Sequence, residues 1–325
     1  MKNFNKIAII AVLFLVTVTL AGCEALPGNL SGDSNGTGQI VMSVADAPET
    51  AADNVYVSID KVLIHNSDND EWITLNDFEA EENGTLRVDL LDFRFDELKI
   101  SDKEVPEGNY DQIKLELDAP KDTGGGEKPT SANTSINYTL NDKEFSESIF
   151  IPSEKFIINK ENSKNGFNGF QVEDNSLPTD IVLDFDVSIL MDQINNDGSI
   201  NHPKGFLMLT PKAIEVVNNN KSTSIVGEVL KDGNTANEEV KIELYEQDNP
   251  GEAIKTTYTS MNNEDGEIGH FKLRGVEIGS YIVKASITLD DIDYESEKQV
   301  EIITEDIETN KPVNIQELIL QQSSQ

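Results

Sequence analysis

The chain has 325 residues, of which 60 are acidic and 25 basic, giving a formal charge of −35 with 37% hydrophobic content. Such a surface excludes nucleic-acid reading, which needs clustered Lys and Arg, and it would not settle unaided on anionic lipid. A single cysteine excludes a disulfide framework, so each domain must rely on its own apolar core.

In chain order, Lys2 and Lys6 precede an uncharged apolar run over residues 7–20, too short and wrongly flanked for a stable membrane span. The run closes on Leu20-Ala21-Gly22-Cys23, a small-small-Cys ending that resembles the bacterial lipobox. That resemblance implies a signal peptide over 1–22 and cleavage before Cys23, which becomes the lipidated first residue. The simpler alternative is an ordinary secretory signal with an incidental cysteine. Removing 1–22 takes away two lysines and no acids, so the mature side chains carry −37. Lipid must then supply the anchorage, with two or more acyl chains, since one alone binds weakly. Residues 23–37, rich in Gly, Ser, Asn and Pro, predict a flexible tether. Glu24 rather than Asp follows the cysteine, a pattern that leaves outer-membrane sorting open.

From Gly38 the pattern turns to period two, as half-buried strands require. Strands are predicted over 40–44, 55–59, 72–75, 86–91, 112–117, 135–140, 147–151, 169–172, 181–187 and 206–217, with a short helical stripe over 187–194. Polar turns separate them, among them Asp46-Ala47-Pro48, residues 66–70 and Pro106-Glu107-Gly108-Asn109. The wholly polar stretch 218–224 predicts a domain boundary. A second alternating series then covers 224–230, 240–244, 254–259, 270–273, 279–287, 297–303 and 313–320. Seven strands in under a hundred residues suit a small sandwich.

Two family resemblances rest on particular strings. Gly38-Gln39-Ile40-Val41-Met42-Ser43-Val44-Ala45-Asp46-Ala47-Pro48, residues 55–65 with Trp72, Val88-Asp89-Leu90-Leu91, residues 105–113, Leu183-Asp184-Phe185-Asp186 and residues 206–211 resemble domain of unknown function 4382. This family of bacterial lipoproteins implies no activity. Ile225-Val226-Gly227, residues 240–244, Asp265-Gly266, Phe271-Lys272-Leu273 and Gly279-Ser280-Tyr281 resemble the carboxypeptidase regulatory-like domains, prealbumin-type sandwiches with a carbohydrate-binding-like fold. The resemblance implies a spacer or binding module. The extra Glu267-Ile268-Gly269 before Phe271 predicts a bulge or longer loop, and Tyr281 is expected to bury its ring near the sandwich end.

Chemistry is thin by comparison. Calcium is the cation to test first. Residues 195–201 resemble part of a Ca²⁺ loop, but with Gly198 at loop position six, Gln193 and Lys204 stand where an EF-hand needs carboxylates, so a plain turn is expected. Asp184 and Asp186, two apart in a strand, point the same way about 7 Å apart. With a loop carboxylate such as Asp46 or Asp89 they could hold a cation, against the alternative of a solvated strand face. Trp72, the single tryptophan, could stack on a sugar ring, or it could be a core residue. His65 and His202 read as lone exposed histidines. Zinc and nucleophilic signatures are absent, as is a phosphate loop, since Gly124-Gly125-Gly126 lacks the following Lys.

The sequence therefore predicts an all-β chain: two consecutive antiparallel β-sandwich domains, over 38–217 and 222–320, behind signal peptide and tether. It predicts a non-catalytic module held through Cys23 at the outer face of a bacterial membrane, contacting polysaccharide or an envelope protein, with no cofactor beyond a possible Ca²⁺. Two alternatives stand beside it: a calcium-stabilised adhesion module, and a carboxylate-dependent glycan hydrolase using a pair of acids across a cleft.

Overall fold

Alternation becomes strand wherever one residue in two can be buried, and the computed structural model follows that rule over residues 36–46, 52–80, 84–122, 133–152, 156–174, 177–260 and 268–323. These are the residues it describes. Cys23, the tether to residue 35 and the Asp265-Gly266 turn lie outside them.

In chain order the first strands are β1 (Thr37–Asp46), β2 (Asn54–Asn66), β3 (Glu71–Asp77), β4 (Leu86–Asp89), β5 (Leu98–Pro106) and β6 (Gly108–Leu117). They continue as β7 (Ser135–Leu140), β8 (Lys143–Phe150), β9 (Phe156–Ile158), β10 (Phe170–Val172), β11 (Thr179–Phe185), β12 (Leu207–Met208) and β13 (Ile214–Asn218). A four-stranded sheet runs β13-β11-β1-β5. A nine-stranded sheet runs β10-β6-β2-β7-β8-β12, with β3 and β4 also on β2 and β9 on β6. At 13 residues β2 is long enough to share its two edges among four partners.

The second series comprises β14 (Thr223–Lys231), β15 (Asn234–Thr235), β16 (Lys241–Glu246), β17 (Lys255–Tyr258) and β18 (His270–Val276). It ends with β19 (Gly279–Leu289), β20 (Ile292–Ile302), β21 (Val313–Ile319) and β22 (Gln321–Gln322). One sheet runs β15-β14-β18 with β21 on β14, the other β17-β16-β19-β20-β22. The chain is all-β, as predicted, and mostly antiparallel. Parallel pairs join β1 to β11, β8 to β12 and β14 to β21.

Asn35–Gln325 is one compact unit with two main apolar cores, one built from β1–β13, here the first body, and one from β14–β22, the second body. The larger draws on Ile40, Tyr110, Phe156 and Phe185, the smaller on Ile225, Leu244, Phe271 and Val283. Each fully buried side chain of this size contributes about 1.5–3 kcal/mol by leaving water. Tyr281 is buried as expected, and its hydroxyl donates to the Glu277 carbonyl at 3.1 Å. Tyr110 repeats the device in the first body, donating to the Pro106 carbonyl at 2.6 Å.

Several expectations are corrected. Leu90 and Leu91 do not extend β4 but turn into a 3-10 helix, because the Asp89 side chain accepts from the Leu91 N–H and caps it. Residues 206–217 are two strands, β12 and β13, divided by a 3-10 turn at Pro211–Ala213. The helical stripe is one short helix, Ser188–Met191. At Gly269 the backbone takes φ +110°, and its carbonyl accepts from the Val229 N–H, consistent with an irregular entry to β18.

Candidate functional site

β1 and β11 run side by side in parallel, with Ala45 opposite Asp184 and Asp46 opposite Phe185. Side chains alternate along each strand, so Asp184 shares a face with Ala45 and Val182, while Asp46 starts from the opposite face. The Ala45–Val182 face does not meet water. With Val217 it forms a small apolar cluster, and β18 of the second body closes over its edge. Gly275, at φ +66°, brings backbone to where an added Cβ would lie 3.0 Å from Val217 Cγ2. A side chain there would suffer both the left-handed backbone and the close approach.

The residue before that glycine fills the junction. Arg274, with its side chain 2% exposed, donates from Nη1 to the Asp46 carbonyl (2.8 Å) and Asp184 Oδ1 (3.3 Å). Its Nη2 donates to the carbonyls of Phe93, Arg94 and Asp96 at 3.1, 2.9 and 3.0 Å. The planar guanidinium fork can serve several acceptors at once, which an ammonium cannot do in one plane. Lys272 donates to the Phe95 carbonyl at 2.7 Å, and in return Arg94 of the first body donates to Ser260 Oγ of the second at 2.9 Å. Lys255 also crosses the junction, to Glu215.

Electrostatics follow burial. Burial first, then the neighbouring Asp184 charge, hold the Asp46 carboxyl well above the usual carboxylate range, against the pull of Arg274 and Arg94. Neither of its oxygens has a hydrogen-bond partner among the described residues. Burial also raises Asp184, with Arg274 opposing. Burial, then the Arg274 charge, lower Lys272 to about 8.

The expected cation site at Asp46, Asp184 and Asp186 is therefore corrected. Asp46 starts from the opposite face of the sheet to Asp184, and Arg274 already pairs with Asp184. Asp186 lies just past β11, where it accepts from the Ser188 N–H at 3.2 Å and pairs with Lys164 at 2.6 Å. Nor is this a solvated strand face: the Asp184 and Asp186 side chains are 12% and 17% exposed, beside a cleft of about 330 Å³ that they line with Lys164, Glu215, Lys255 and Arg274. Asp89, the other loop carboxylate, accepts from Asn54 Nδ2 and the Val55 N–H besides its cap. Among the described residues no group of three His, Cys, Asp or Glu side chains is placed to hold a metal. Around Gly198, Asp197 accepts from the Ser199 N–H at 2.9 Å and Asn195 N–H bonds the Ser199 carbonyl at 2.8 Å, an ordinary turn.

A second constellation lies at the tip of the β2–β3 hairpin. Trp72 is not a core residue: it is 37% exposed. Opposite it across the hairpin is His65, whose ring centroid lies 5.0 Å from the indole. His65 is not exposed but buried, with Nδ1 2.7 Å from Asp111 Oδ1 and Nε2 3.0 Å from Asp70 Oδ1. Two carboxylates on two ring nitrogens suit only the imidazolium, which donates from both. Burial works against that charge, but the bonds to Asp111 and Asp70 outweigh it and raise the His65 pKa. Neighbouring Asp68 accepts the Asn109 N–H at 2.8 Å, tying the hairpin to the start of β6. No sequence signal joins His65 to Asp111, 46 residues away; only the β2–β6 pairing does.

Comparison with known proteins adds a family and a set of distant solved structures. The family described as a domain of unknown function (DUF4382) matches residues 37–202, just over half of the chain. No curated protein matches. Solved structures with some likeness include the TIE protein of Bacillus anthracis, at 13% identity and TM-score 0.21, covering 89% of this chain and 34% of that one. GBS52, the minor pilin of Streptococcus agalactiae, has 13% identity and TM-score 0.20, covering 88% and 98%. BcpA, the major pilin subunit of Bacillus cereus, has 10% identity and TM-score 0.22, covering 87% and 99%. The chain thus spans about a third of the length of the first, and at such TM-scores the likeness carries no argument.

Proposed function

Because the chain belongs to the family described as a domain of unknown function (DUF4382), whose name carries no activity, we propose its role from its own geometry. It is a non-catalytic envelope lipoprotein, tethered through Cys23, that presents two joined sandwiches, residues 38–217 and 222–320, to an envelope polysaccharide. One observation carries this reading: the three carboxylates that line the junction cleft are paired with the chain's own cations. Arg274 takes Asp184, Lys164 takes Asp186 and Lys255 takes Glu215, so the acidic cleft is spent on joining the bodies. A glycosidase needs two carboxylates free to act as acid and as base or nucleophile. Here that pairing is committed to structure, while Trp72 on the hairpin stays open.

The lipobox string supports the tether, and the regulatory-like strings of the second body support a spacer or binding role. The test has two arms. Cells producing the full chain should hold it in the membrane fraction, and Cys23→Ser should release it. The released protein should sediment with insoluble envelope polysaccharide and liberate no sugar from it. Release of reducing ends, or failure to sediment, contradicts the reading.

A further inference from the structure

The hairpin tip carries chemistry that the junction does not. Residues 66–72 and 108–112 include Asp68, Asp70, Glu71 and Asp111, with His65 beside them, and neither segment contains Lys or Arg. His65 as imidazolium bridges Asp70 and Asp111 with its ring 5.0 Å from the exposed indole, while Asp68 is tied to Asn109 and Glu71 starts from the opposite face of β3. The Asp70 side chain is 96% exposed and that of Asp111 49%, and among the described residues each bonds His65 through Oδ1. The second oxygens stay available to an incoming donor.

We infer that Trp72, Asp70 and Asp111 form a binding patch for protonated amino-sugar residues, a step that rests on the polysaccharide role above and gives it a site. An exposed indole offers a flat apolar face suited to the C–H side of a pyranose ring, and its quadrupole attracts an ammonium group. The flanking carboxylates accept hydrogen bonds from the same ammonium and from hydroxyls. Anionic glycans are disfavoured twice, by the local carboxylates and by the −35 charge of the whole chain. Neutral and N-acetylated sugars can stack but cannot make the ion pair. The buried, doubly bridged His65 ring supports the indole from behind and fixes the two carboxylates, so little ordering remains for binding to impose.

The single tryptophan is its own reporter. Its emission should be titrated with a glucosamine hexasaccharide at about pH 6, where such an amine is protonated. Matched titrations use the N-acetylated hexasaccharide and a glucose hexasaccharide. The expected result is a saturable change in emission with the amino sugar, at least about tenfold weaker with the other two. Asp70→Asn should weaken binding several-fold, and Trp72→Ala, followed by calorimetry and checked for folding by circular dichroism, should abolish it. A flat titration, equal binding of the N-acetylated sugar, or undiminished binding by Trp72→Ala would each overturn the inference. If the titration is flat while wild-type and Trp72→Ala proteins sediment equally with envelope polysaccharide, this site falls and the broader role stands. If neither binds anything, both fall.

Discussion

Two acidic neighbourhoods in one molecule have opposite fates. At the junction Asp46, Asp184, Asp186 and Glu215 sit where the two bodies meet, and the chain brings Arg274, Lys164 and Lys255 to the last three. At the hairpin tip Asp70 and Asp111 share one imidazolium, and their side chains are 96% and 49% exposed. Burial decides the difference. Leaving a charge unpaired inside costs several kcal/mol, whereas on the surface water pairs it at almost no cost. The junction acids are therefore tied to the chain's own cations or, like Asp46, hold their proton more tightly, whereas the exposed oxygens at the hairpin tip are left to water.

The contrast breaks most readily at Arg274. Arg274→Ala should cost about 3–5 kcal/mol, because Asp184 and four carbonyls lose their donor inside the protein. Thermal unfolding checks this, and Trp72 emission at native temperatures should not change. Arg274→Lys should recover only part of the loss, since an ammonium cannot serve the whole fork of acceptors. By contrast Asp70→Asn at the tip should stay within about 0.5 kcal/mol of wild type. Equal costs at the two places would dissolve the distinction.

Next in size is Gly275→Ala, with an expected loss of about 1–2 kcal/mol from the left-handed backbone and the approach to Val217. Chemical denaturation reads it as a lower midpoint.

Asp46 sharpens the comparison through pH. Its native pKa is raised by burial and by Asp184, so the native state binds the proton more tightly than the unfolded chain. Its contribution to stability therefore falls as pH rises from the ordinary carboxylate range through the raised value. Asp46→Asn should remove that slope and lift the neutral-pH Tm by about 2–4 °C, corresponding to roughly 1 kcal/mol in a body of this size. A lower Tm across the whole pH range would show that the carboxylate is needed.

The smallest effect belongs to His65. Its pKa is raised from 6.5, so the stabilisation it lends is complete below that value and is lost as pH rises through the native one. Trp72, 5.0 Å away, should report the step as an increase in emission when the imidazolium quencher disappears. His65→Gln should abolish the step.

Much of the fold was legible because period two reports burial directly. β7 coincides with its prediction, and the predicted cores of β1, β2 and β6 lie within the observed strands. The two corner tyrosines share a Gly-x-Tyr spacing, Gly108-Asn109-Tyr110 and Gly279-Ser280-Tyr281, although only the second was read as a buried ring. Pairing was not legible, since alternation says which face is buried and nothing about which strand lies alongside. The parallel β1–β11 and β14–β21 pairs are of this kind. β5 escaped notice because Lys99, Asp102, Lys103 and Glu104 break its pattern, leaving few of its residues buried.

At the candidate site Trp72 stands out as the lone tryptophan, but nothing local marks His65 as buried and bridged, because its partners are 5 and 46 residues away. Arg274 was passed over entirely. In Phe271-Lys272-Leu273-Arg274 the charged positions look like the wet side of a half-buried strand. They are the side that meets the first body. The available hint was the short link at 218–224, which leaves two sandwiches little freedom to stay apart.

The most direct test is calorimetric unfolding of the protein with and without millimolar Ca²⁺. If the junction carboxylates are satisfied by Arg274, Lys164 and Lys255, the wild-type transition does not move with calcium, and Arg274→Ala lowers it sharply. A calcium-dependent rise in the wild-type transition that Asp184→Asn abolishes would show that a metal ion, and not the chain's own cations, holds the junction.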